Sequence, residues 1–437
     1  MAYKKDKKIK TWKIVVSFIV LCALAVALVF ADQIETMIGY KETFASHQTT
    51  LDKIEESDYY VSYIDVGQGN SSFVKLPDGK TMLIDGGDKE FGETVAEFLT
   101  DRDITQIDYL IATHSDSDHI AGLNYVLENF EFKQIYRPFQ ISRNSDGSAY
   151  EYEDLNDAYD YAVSQGISKI SKVNTAVYRT FIKNIYDETY TLEGTSYETK
   201  ICVFYDGLKI SGENYEIEFF GPLKTEVTID FSEDGLTTET EGFATIGYGV
   251  SEANGCSSIF TLTCYDDKYL FMGDVEFTED LSDENYLEKD YSEVDFILSL
   301  TDDEKAKMAE VDVLMLPHHG SKYGACEELL DMVLPRFVVV SAGSDNKYGH
   351  PHQETIDRLA GLNSLESDYM LRTDEMGDVI FSSVDGELNY YIEKQGTQEK
   401  LTISFRMLCV IIAVVILMLI FSIRPLKRKK SKKYYNS

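Results

Sequence analysis

The segment THSDSDHIAG, residues 113–122, decides the fold. It follows an apolar run at residues 109–112, which is typical of a buried strand. Four metal-binding side chains lie within six residues of the segment: His114, Asp116, Asp118 and His119. Alternate positions of an extended segment point to one side, so His114 and Asp116 form one pair while the other two turn into the next helix. Core packing does not explain this spacing, and the segment predicts a metal site.

The other histidines are clustered in a similar way. The chain has seven histidines, and six of them form three pairs: His114/His119, His318/His319 and His350/His352. The last two pairs end the apolar stretches VDVLMLPHHGS (311–321) and RFVVVSAGSDNKYGHPH (336–352). A further apolar run, YLFMGDVE (269–276), carries Asp274 at a position suited to bridging two cations. Because sheets of α/β proteins place active sites at the carboxyl ends of their strands, we expect these residues to form one site.

Seven stretches together resemble the metallo-β-lactamase fold, and more closely the exported hydrolase-like domain of the ComEC competence family. They are DVGQGN (65–70), LIDGG (83–87), THSDSDHIAG (113–122), LFMGD (270–274), LPHHGS (316–321), YGHPH (348–352) and RTDEMGDVIF (372–381). In order and character they cover about residues 60–395. The resemblance implies an α/β fold, a four-layer αβ/βα sandwich, with two divalent metal ions at one edge of its two sheets.

The resemblance also implies a role for each clustered residue. His114 and Asp116 would bind one ion, Asp274 would bridge, and the second ion would be bound by Asp118, His119 and His319. The predicted catalytic residues are Asp118, His318 and His352. His350 and Ser321 would contact the substrate. Asp85 would brace the ligand loop, as such sites commonly need, although an aspartate before Gly86-Gly87 can equally serve to cap a turn.

Three departures from the family pattern bear on the metal. The commonest form of the fold has histidine in place of Asp116, and it has a further histidine ligand where this chain has none between His119 and His318. Asn70 stands where family members usually carry aspartate. The shell of one ion is therefore rich in oxygen, and carboxylate and water ligands favour harder cations. Both Zn²⁺ and Mn²⁺ are candidates.

The charge distribution predicts a membrane topology. Residues 1–13 and 406–437 hold six and eight of the 41 basic residues but only Asp6 of the 75 acidic ones, which leaves residues 14–405 with 27 basic and 74 acidic side chains, a formal −47. Each basic end adjoins an apolar run, at 14–31 and 407–423, long enough as a helix to span roughly 25–27 Å. The positive-inside rule places both ends in the cytoplasm and the acidic body outside.

The predicted domain organisation follows from this topology. Residues 1–13 and 424–437 are cytoplasmic tails, 14–31 is a transmembrane helix or a cleaved signal peptide, and 407–423 is a second transmembrane helix. A stalk at 32–57 precedes the metallo-β-lactamase-like domain at 58–398. Insertions at about 140–253 and 276–310 either roof the site or decorate the surface. Four cysteines of the body, in no metal-binding pattern, are expected to be buried small hydrophobes: Cys202, Cys256, Cys264 and Cys326.

These features favour a surface-anchored binuclear metallohydrolase acting on phosphodiesters, with the lipid bilayer and an anionic substrate as its partners. DNA is one candidate substrate because of the ComEC resemblance, but a body at −47 repels a polyanion at long range. Five basic residues near the motifs offer at most a thin strip: Lys133, Arg137, Arg143, Lys322 and Lys347. Two alternatives remain: a hydrolase of a cell-envelope or small-molecule ester, and a non-catalytic receptor or scaffold stabilised by metal. No protein partner is predicted.

Overall fold

Two β-sheets of eight and seven strands form the centre of the fold in the computed structural model. The structure describes residues 48–164, 171–221, 228–230, 243–245, 253–276, 293–366 and 369–394. The described residues belong to the unit His47–Gly396. The predicted cytoplasmic tails and both predicted membrane helices lie outside the described residues.

The strands are, in chain order, β1 (Tyr60–Tyr63), β2 (Ser72–Lys75), β3 (Thr81–Ile84), β4 (Gln106–Ile111), β5 (Glu131–Arg137), β6 (Ile141–Ser142), β7 (Lys172–Val173), β8 (Thr189–Leu192), β9 (Thr195–Glu198), β10 (Lys200–Val203), β11 (Lys209–Gly212), β12 (Tyr215–Gly221), β13 (Thr228–Asp230), β14 (Phe243–Thr245), β15 (Ile259–Cys264), β16 (Asp267–Phe271), β17 (Val313–Met315), β18 (Phe337–Val340), β19 (Met370–Arg372), β20 (Val379–Val384) and β21 (Glu387–Ile392). The α-helices are α1 (Leu51–Glu55), α2 (Gly92–Thr100), α3 (Ser117–Ile120), α4 (Leu123–Leu127), α5 (Asn156–Ser164), α6 (Ala176–Asp187), α7 (Glu293–Ser299), α8 (Asp302–Met308), α9 (Glu327–Val333), α10 (Gln353–Ala360) and α11 (Thr373–Met376).

Both large sheets are mixed, and each has its parallel strands on one side. The first sheet runs β10-β5-β4-β3-β2-β1-β20-β21, and the second runs β11-β12-β15-β16-β17-β18-β19. β3, β4, β5 and β10 are parallel in the first sheet, as are β16, β17, β18 and β19 in the second. The motif residues follow these parallel strands, whose carboxyl ends are where such sheets place their sites.

Three apolar clusters separate four layers of secondary structure. One lies between the sheets, where the ring of Tyr63 on β1 stacks 5.9 Å from that of Phe271 on β16. A second packs α2, α4 and α6 on the outer face of the first sheet, and a third packs α7, α9 and α10 on the second. Alternating strand residues supply both faces of each sheet. The predicted αβ/βα sandwich is therefore confirmed.

Parts of the stretches predicted as insertions contribute strands and helices to this scaffold. β10 pairs with β5 at one edge of the first sheet, and β12 pairs with β15 in the second. Helices α7 and α8 connect β16 to β17, which are parallel and therefore need a crossover connection. The buried Phe296 of α7 and Met308 of α8 belong to the outer apolar cluster. Among the described residues of these stretches, the strand pairs β6-β7, β8-β9 and β13-β14 lie outside the two large sheets.

The last residues of the predicted stalk pack on the domain instead of extending from it. Ile54 of α1 is fully buried in the cluster beneath the first sheet. The amide of Thr49 donates to the carbonyl of Tyr390 on β21. The apolar side chain at position 54, among polar neighbours, is the reason for this docking. Residues 32–47 lie outside the described part of the chain.

A buried ion pair fastens the segment after β5 to the first sheet. Arg137, at the end of β5, is fully buried and donates to both carboxylate oxygens of Glu153, at 3.0 and 3.1 Å. It also donates to the hydroxyl of Tyr178 on α6 at 3.0 Å. The prediction of Arg137 as part of a basic surface strip is wrong, because its charge is neutralised inside the protein.

Two further findings concern the cysteines and membrane spans. All four described cysteines are buried, as the sequence predicted. Among the described residues, no helix is both long enough and apolar enough to cross a bilayer.

Candidate metal centre

The first part of the centre is the loop that leaves β4. Asp116 is the N-cap of α3, so the chain turns from strand to helix within the motif and carries Asp118 and His119 on the first helical turn. The loop at 65–70 packs directly behind it, where the amide of Asn70 donates to the carbonyl of Asp118 at 3.1 Å. A Cβ on Gly69 would lie 2.4 Å from that carbonyl oxygen, so the backbones meet only because this residue is glycine.

The second part comes from two strands of the other sheet, β16 and β17. Asp274 follows β16, and its amide donates to the hydroxyl of Ser257 at 3.1 Å. His318 and His319 follow β17 and both adopt left-handed backbone conformations, with φ of 47° and 55°. Two consecutive non-glycine residues in this region store backbone strain, which a protein retains where the side-chain direction matters. The turn brings both imidazoles to the edge where the two sheets meet.

Four ligand-type side chains converge at that edge: Asp118, His119, Asp274 and His319. One ligand atom from each lies within 4.8 Å of the others. Asp274 faces both imidazoles, with Oδ1 3.2 Å from His119 Nε2 and Oδ2 3.4 Å from His319 Nε2. Asp118 Oδ2 lies 3.3 Å from His319 Nε2. The spacing matches the set of donors around one divalent ion.

Hydrogen bonds on the far side of each ring fix the orientation of the two imidazoles. His119 Nδ1 lies 2.7 Å from Asp85 Oδ2, and His319 Nδ1 donates to the carbonyl of Ser341 at 2.9 Å. Each acceptor holds the proton on Nδ1 and leaves the Nε2 lone pair for the site. Asp85 therefore fixes the His119 ring, and its role in bracing a metal ligand stays a prediction.

The buried polar atoms at the site fit a bound cation. Four of them have no hydrogen-bond partner: Nε2 of His114, His119 and His319, and Oδ1 of Asp274. Buried polar atoms are otherwise almost always paired. An imidazole lone pair facing a carboxylate oxygen is repulsive unless a proton or a metal ion lies between them. The residues present therefore fit divalent ions, as the family resemblance implied, and the metal and the number of ions remain predictions.

The other predicted ligands lie beside this group. The rings of His114 and His119 are 4.1 Å apart, and His114 Nδ1 lies 3.2 Å from the hydroxyl of Thr113. His114 Nε2 faces Asp116 Oδ2 at 3.8 Å, and the Asp116 side chain is half exposed. The pair predicted to bind one ion therefore lies next to the four-residue group, with His114 buried and Asp116 half exposed.

A row of three imidazoles continues outward from the ligands. The ring of His350 lies 5.5 Å from that of His318 and 4.8 Å from that of His352. His318 Nδ1 hydrogen-bonds to Glu276, and its Nε2 lies 3.8 Å from Asp274 Oδ2. His352 Nδ1 accepts from the amide of Lys322 at 3.0 Å. The contact of this row with a substrate stays a prediction.

Ser321, the other predicted substrate contact, is buried. Its hydroxyl accepts a hydrogen bond from the amide of Tyr323 at 3.3 Å, and its carbonyl accepts one from the hydroxyl of Thr355 at 2.8 Å. These bonds hold the turn after the His318-His319 pair. The substrate-binding role of Ser321 stays a prediction.

The electrostatics of the site couple its acids and imidazoles. Burial alone lowers the pKa of His119, but the carboxylates of Asp274 and Asp85 more than offset it and hold this pKa well above its ordinary value. Burial likewise opposes ionisation of Asp274, yet His119 and His319 hold its pKa well below the usual range. Burial and the neighbouring imidazoles lower the pKa of His350 to about 4. Metal ions compete with protons for these ligand atoms.

Several residues that the sequence did not single out complete the site. Thr113 donates its amide and its hydroxyl to the two oxygens of Asp85, at 2.8 and 2.7 Å. Gln68 Nε2 lies 3.4 Å from His350 Nδ1, so the G-x-G turn reaches the imidazole row. Glu276 stands two residues after Asp274, and this proximity to a ligand was the signal that could have found it. Ser341, by contrast, acts through its backbone carbonyl, which leaves no trace in the sequence.

Comparison with known protein families shows which family the chain belongs to. The family profile described as the metallo-beta-lactamase superfamily matches residues 64–343, more than half of the chain. The chain therefore belongs to the metallo-β-lactamase superfamily.

Two curated proteins are similar in sequence. ComE operon protein 3 of Bacillus subtilis (strain 168) is 25% identical over 344 residues, which cover 74% of this chain and 33% of that protein. Recombination protein 2 of Haemophilus influenzae (strain ATCC 51907 / DSM 11121 / KW20 / Rd) is 37% identical over 68 residues, or 14% of this chain and 9% of that protein. The resemblance to the ComEC family is thus confirmed, although the chain spans a third or less of the length of these relatives.

Solved structures with the same fold are more distant. The metallo-beta-lactamase fold protein YhfI from Bacillus subtilis is 9% identical, with a TM-score of 0.35 over 72% of this chain and 95% of that one. Zn²⁺-bound PqqB from Methylobacterium extorquens is 10% identical, with a TM-score of 0.36 over 71% of this chain and 97% of that one. The assignment to the superfamily rests on the profile match.

Proposed function

We propose that this protein is a membrane-anchored, extracytoplasmic phosphodiesterase that uses two divalent metal ions. The convergence of Asp118, His119, Asp274 and His319 at one sheet edge, within 4.8 Å, carries the proposal. A phosphodiester suits such a site, because a cluster of positive charge stabilises the anionic, in-line transition state.

The protein's own side chains are placed to transfer a proton to the departing oxygen and to exclude water. Divalent ions bound at this edge supply Lewis acidity and lower the pKa of water. The carboxylate of Glu276 accepts a hydrogen bond from His318 Nδ1 and orients the ring, so that Nε2, which can carry a proton, lies 3.8 Å from Asp274 Oδ2 at the inner end of the imidazole row. From there the proton can pass to the departing oxygen of a diester. The buried His350 excludes water from the row and offers a neutral ring to the substrate.

DNA is the first substrate to test, which would make the protein a competence-related nuclease acting in DNA uptake. The similarity to ComE operon protein 3, whose name refers to a competence operon, supports this choice. The formal charge of −47 over residues 14–405 argues against tight nonspecific binding of DNA by the whole body. A cell-envelope polymer or a small-molecule ester is the alternative substrate, and a metal-stabilised receptor or scaffold is the alternative outside catalysis.

The experiment uses the full chain purified in detergent. Bound Zn²⁺ and Mn²⁺ are quantified, and hydrolysis of a generic bis-aryl phosphodiester and of single-stranded DNA is measured with each metal. We expect turnover that Asp274→Ala abolishes together with metal retention. The control Asp146→Ala removes an exposed carboxylate whose hydrogen bonds are confined to the turn at Ser148. Diester cleavage without DNA cleavage favours the alternative substrates, and less than one ion per chain with no turnover contradicts the proposal.

The membrane topology is tested separately. A protease added to intact cells should digest the body and leave the two basic ends protected, because the positive-inside rule retains them in the cytoplasm. An N-terminal reporter that is absent from the mature protein would identify residues 14–31 as a signal peptide.

A further inference from the structure

A short sequence repeat flanks the imidazole row. Ser321-Lys322-Tyr323-Gly324 and Asn346-Lys347-Tyr348-Gly349 each contain Lys-Tyr-Gly, once after the His318-His319 pair and once before His350. The tyrosine rings are 38% and 54% exposed, for Tyr323 and Tyr348 respectively. Exposed aromatic rings at the mouth of a site, each beside a lysine, need an explanation that core packing does not supply.

The structure brings both copies to the same histidines. The ring of Tyr348 stacks on His350 at 5.5 Å and 22°, and His350 stacks in turn on the ligand His319 at 6.1 Å and 25°. The amide of Lys322 donates to His352, whose ring contacts His350. A continuous series of rings therefore leads from an exposed tyrosine to a buried metal ligand.

Each lysine lies against the tyrosine that follows it. The ammonium of Lys347 is 5.0 Å from the centre of the Tyr348 ring, and that of Lys322 is 4.8 Å from the Tyr323 ring. Lys133, Lys209 and Lys394 are paired with carboxylates, whereas among the described residues no carboxylate lies within 4.0 Å of the Lys347 ammonium. The Lys347 side chain is long and exposed, so it can leave the ring for a phosphate without breaking an ion pair.

We propose that Lys322-Tyr323 and Lys347-Tyr348 form a binding rim for a single-stranded nucleic acid, with one base stacked on Tyr348 and the adjoining phosphates contacted by the lysines. The assignment rests on the proposed phosphodiesterase function and names its substrate class. A planar ring next to a mobile cation matches the alternation of base and phosphate along a strand. An exposed cation–π contact is weaker than a stacked base, so the exchange favours binding.

The rim also reconciles a nucleic-acid substrate with an acidic body. Long-range repulsion acts on the approach of the strand, whereas stacking and two local cations act only after contact. Only the end or a short stretch of a strand needs to reach the row of imidazoles.

The test measures the contribution of base stacking to affinity separately from that of the phosphate contacts. Affinities of the full chain in detergent, with divalent metal present, are measured by fluorescence anisotropy for labelled oligothymidylate and for an abasic oligomer of the same length, both with phosphorothioate linkages that slow hydrolysis. We expect the wild type to bind oligothymidylate about tenfold more tightly, because one stacked base contributes a factor of this order. Tyr348→Ala should remove that preference and Tyr348→Phe should keep it. Lys347→Ala should weaken both probes about equally, by roughly two- to fivefold, as loss of a phosphate contact does.

Tyr125→Ala is the matched control, because Tyr125 is 40% exposed and lies on α4. It should leave both affinities unchanged.

Equal binding of the two oligomers by the wild type, an unaltered preference in Tyr348→Ala, or tighter binding of polyglycerol phosphate would each overturn the assignment. The outcomes for the rim and for the proposed activity are distinguishable. A chain that cleaves bis-aryl diesters but shows no preference for bases supports the phosphodiesterase function and contradicts the rim. A chain that prefers bases but shows no turnover supports the rim and contradicts the phosphodiesterase function.

Discussion

At the scale of single residues, contacts on the outer side of the candidate ligands fix the direction in which their rings face the site. His119 and His319 present Nε2 to the cluster because Asp85 and the carbonyl of Ser341 hold the opposite nitrogens. Thr113 in turn holds Asp85 through two hydrogen bonds. Such supporting contacts restrict ring rotation before an ion binds, and they raise affinity by reducing the ordering that binding requires.

Asp85→Ala should therefore weaken metal binding by about 10–100-fold. The substitution removes the acceptor that fixes His119, while every ligand atom remains in the chain. The measurement is competition for Zn²⁺ and Mn²⁺ against a chelator of known affinity, with Asp146→Asn as the surface control. Unchanged affinity would assign Asp85 to capping the turn before Gly86-Gly87 instead.

Glu276→Gln should lower kcat for a diester by about 10–100-fold, the range typical of general acid–base contributions. The amide cannot hold the Nδ1 proton of His318 as a carboxylate does, so the ring loses its fixed orientation. Metal content should stay at the wild-type value, and Glu354→Gln, an exposed change on α10, should alter neither quantity. Equal kcat in Glu276→Gln and the wild type would exclude this dyad from catalysis.

At the scale of elements, the ligand loops were predictable because residue type and position agree. Asp116 and Asp274 follow apolar strands, and the parallel order of those strands brings their ends together. Burial of charge was not predictable in this way. From the sequence, Arg137 is expected to be a surface cation. Only the fold shows that it is buried against Glu153 and Tyr178. The helix α7 was not predicted from the sequence, because its acidic sequence neighbours mask its apolar face; the insertion around it stays a prediction.

Arg137→Met should lower the free energy of unfolding by about 3–5 kcal/mol, because it leaves the carboxylate of Glu153 buried without its partner. The double variant Arg137→Met/Glu153→Leu should recover most of that loss, since no charge then stays buried. Urea denaturation followed by circular dichroism gives both values. A single variant as stable as the wild type would show that the buried pair contributes nothing to stability.

Glu293, at the start of α7, should make stability depend on pH. The fully buried carboxylate accepts from the amides of Ala325 and Cys326, both at 2.7 Å, but burial is the larger effect and raises its pKa to about 7. A carboxyl whose pKa is higher in the folded protein than in the unfolded chain contributes its full stability below the unfolded value. That contribution is lost as the pH rises to about 7, by about 3 kcal/mol.

Glu293→Gln cannot titrate, so the difference in the free energy of unfolding between pH 4.5 and pH 8 should shrink relative to the wild type. Thermal and urea unfolding at the two pH values measure the difference, with Glu354→Gln as the exposed control. The same pH dependence in Glu293→Gln and the wild type would assign it to other groups.

At the scale of the whole molecule, the charge of the body opposes the charge of the proposed substrate. Residues 14–405 carry a formal −47, whereas the ligand cluster is suited to cations. Electrostatic repulsion from the acidic body keeps polyanions at a distance, so that binding depends on short-range contacts. It also separates this protein from nucleases that attract DNA by a basic surface.

The value of kcat/KM for a small anionic diester should therefore rise by about twofold or more as ionic strength increases from about 10 to 150 mM, because salt screens the repulsion. Steady-state kinetics across a potassium chloride series measure the change, and sucrose at matched osmolality should have no effect. A steady fall with salt would show that local cations dominate the encounter.

The ligand cluster also has a mechanical consequence. Asp118 and His119 follow a strand of the first sheet, while Asp274 and His319 follow strands of the second. An ion held by all four closes a loop between distant parts of the chain, as a covalent cross-link would, and so reduces the entropy of the unfolded state. Metal occupancy and the stability of the sandwich are then thermodynamically linked. We expect chelation to weaken this edge of the molecule first, and the availability of metal to govern how long the folded domain survives proteolysis.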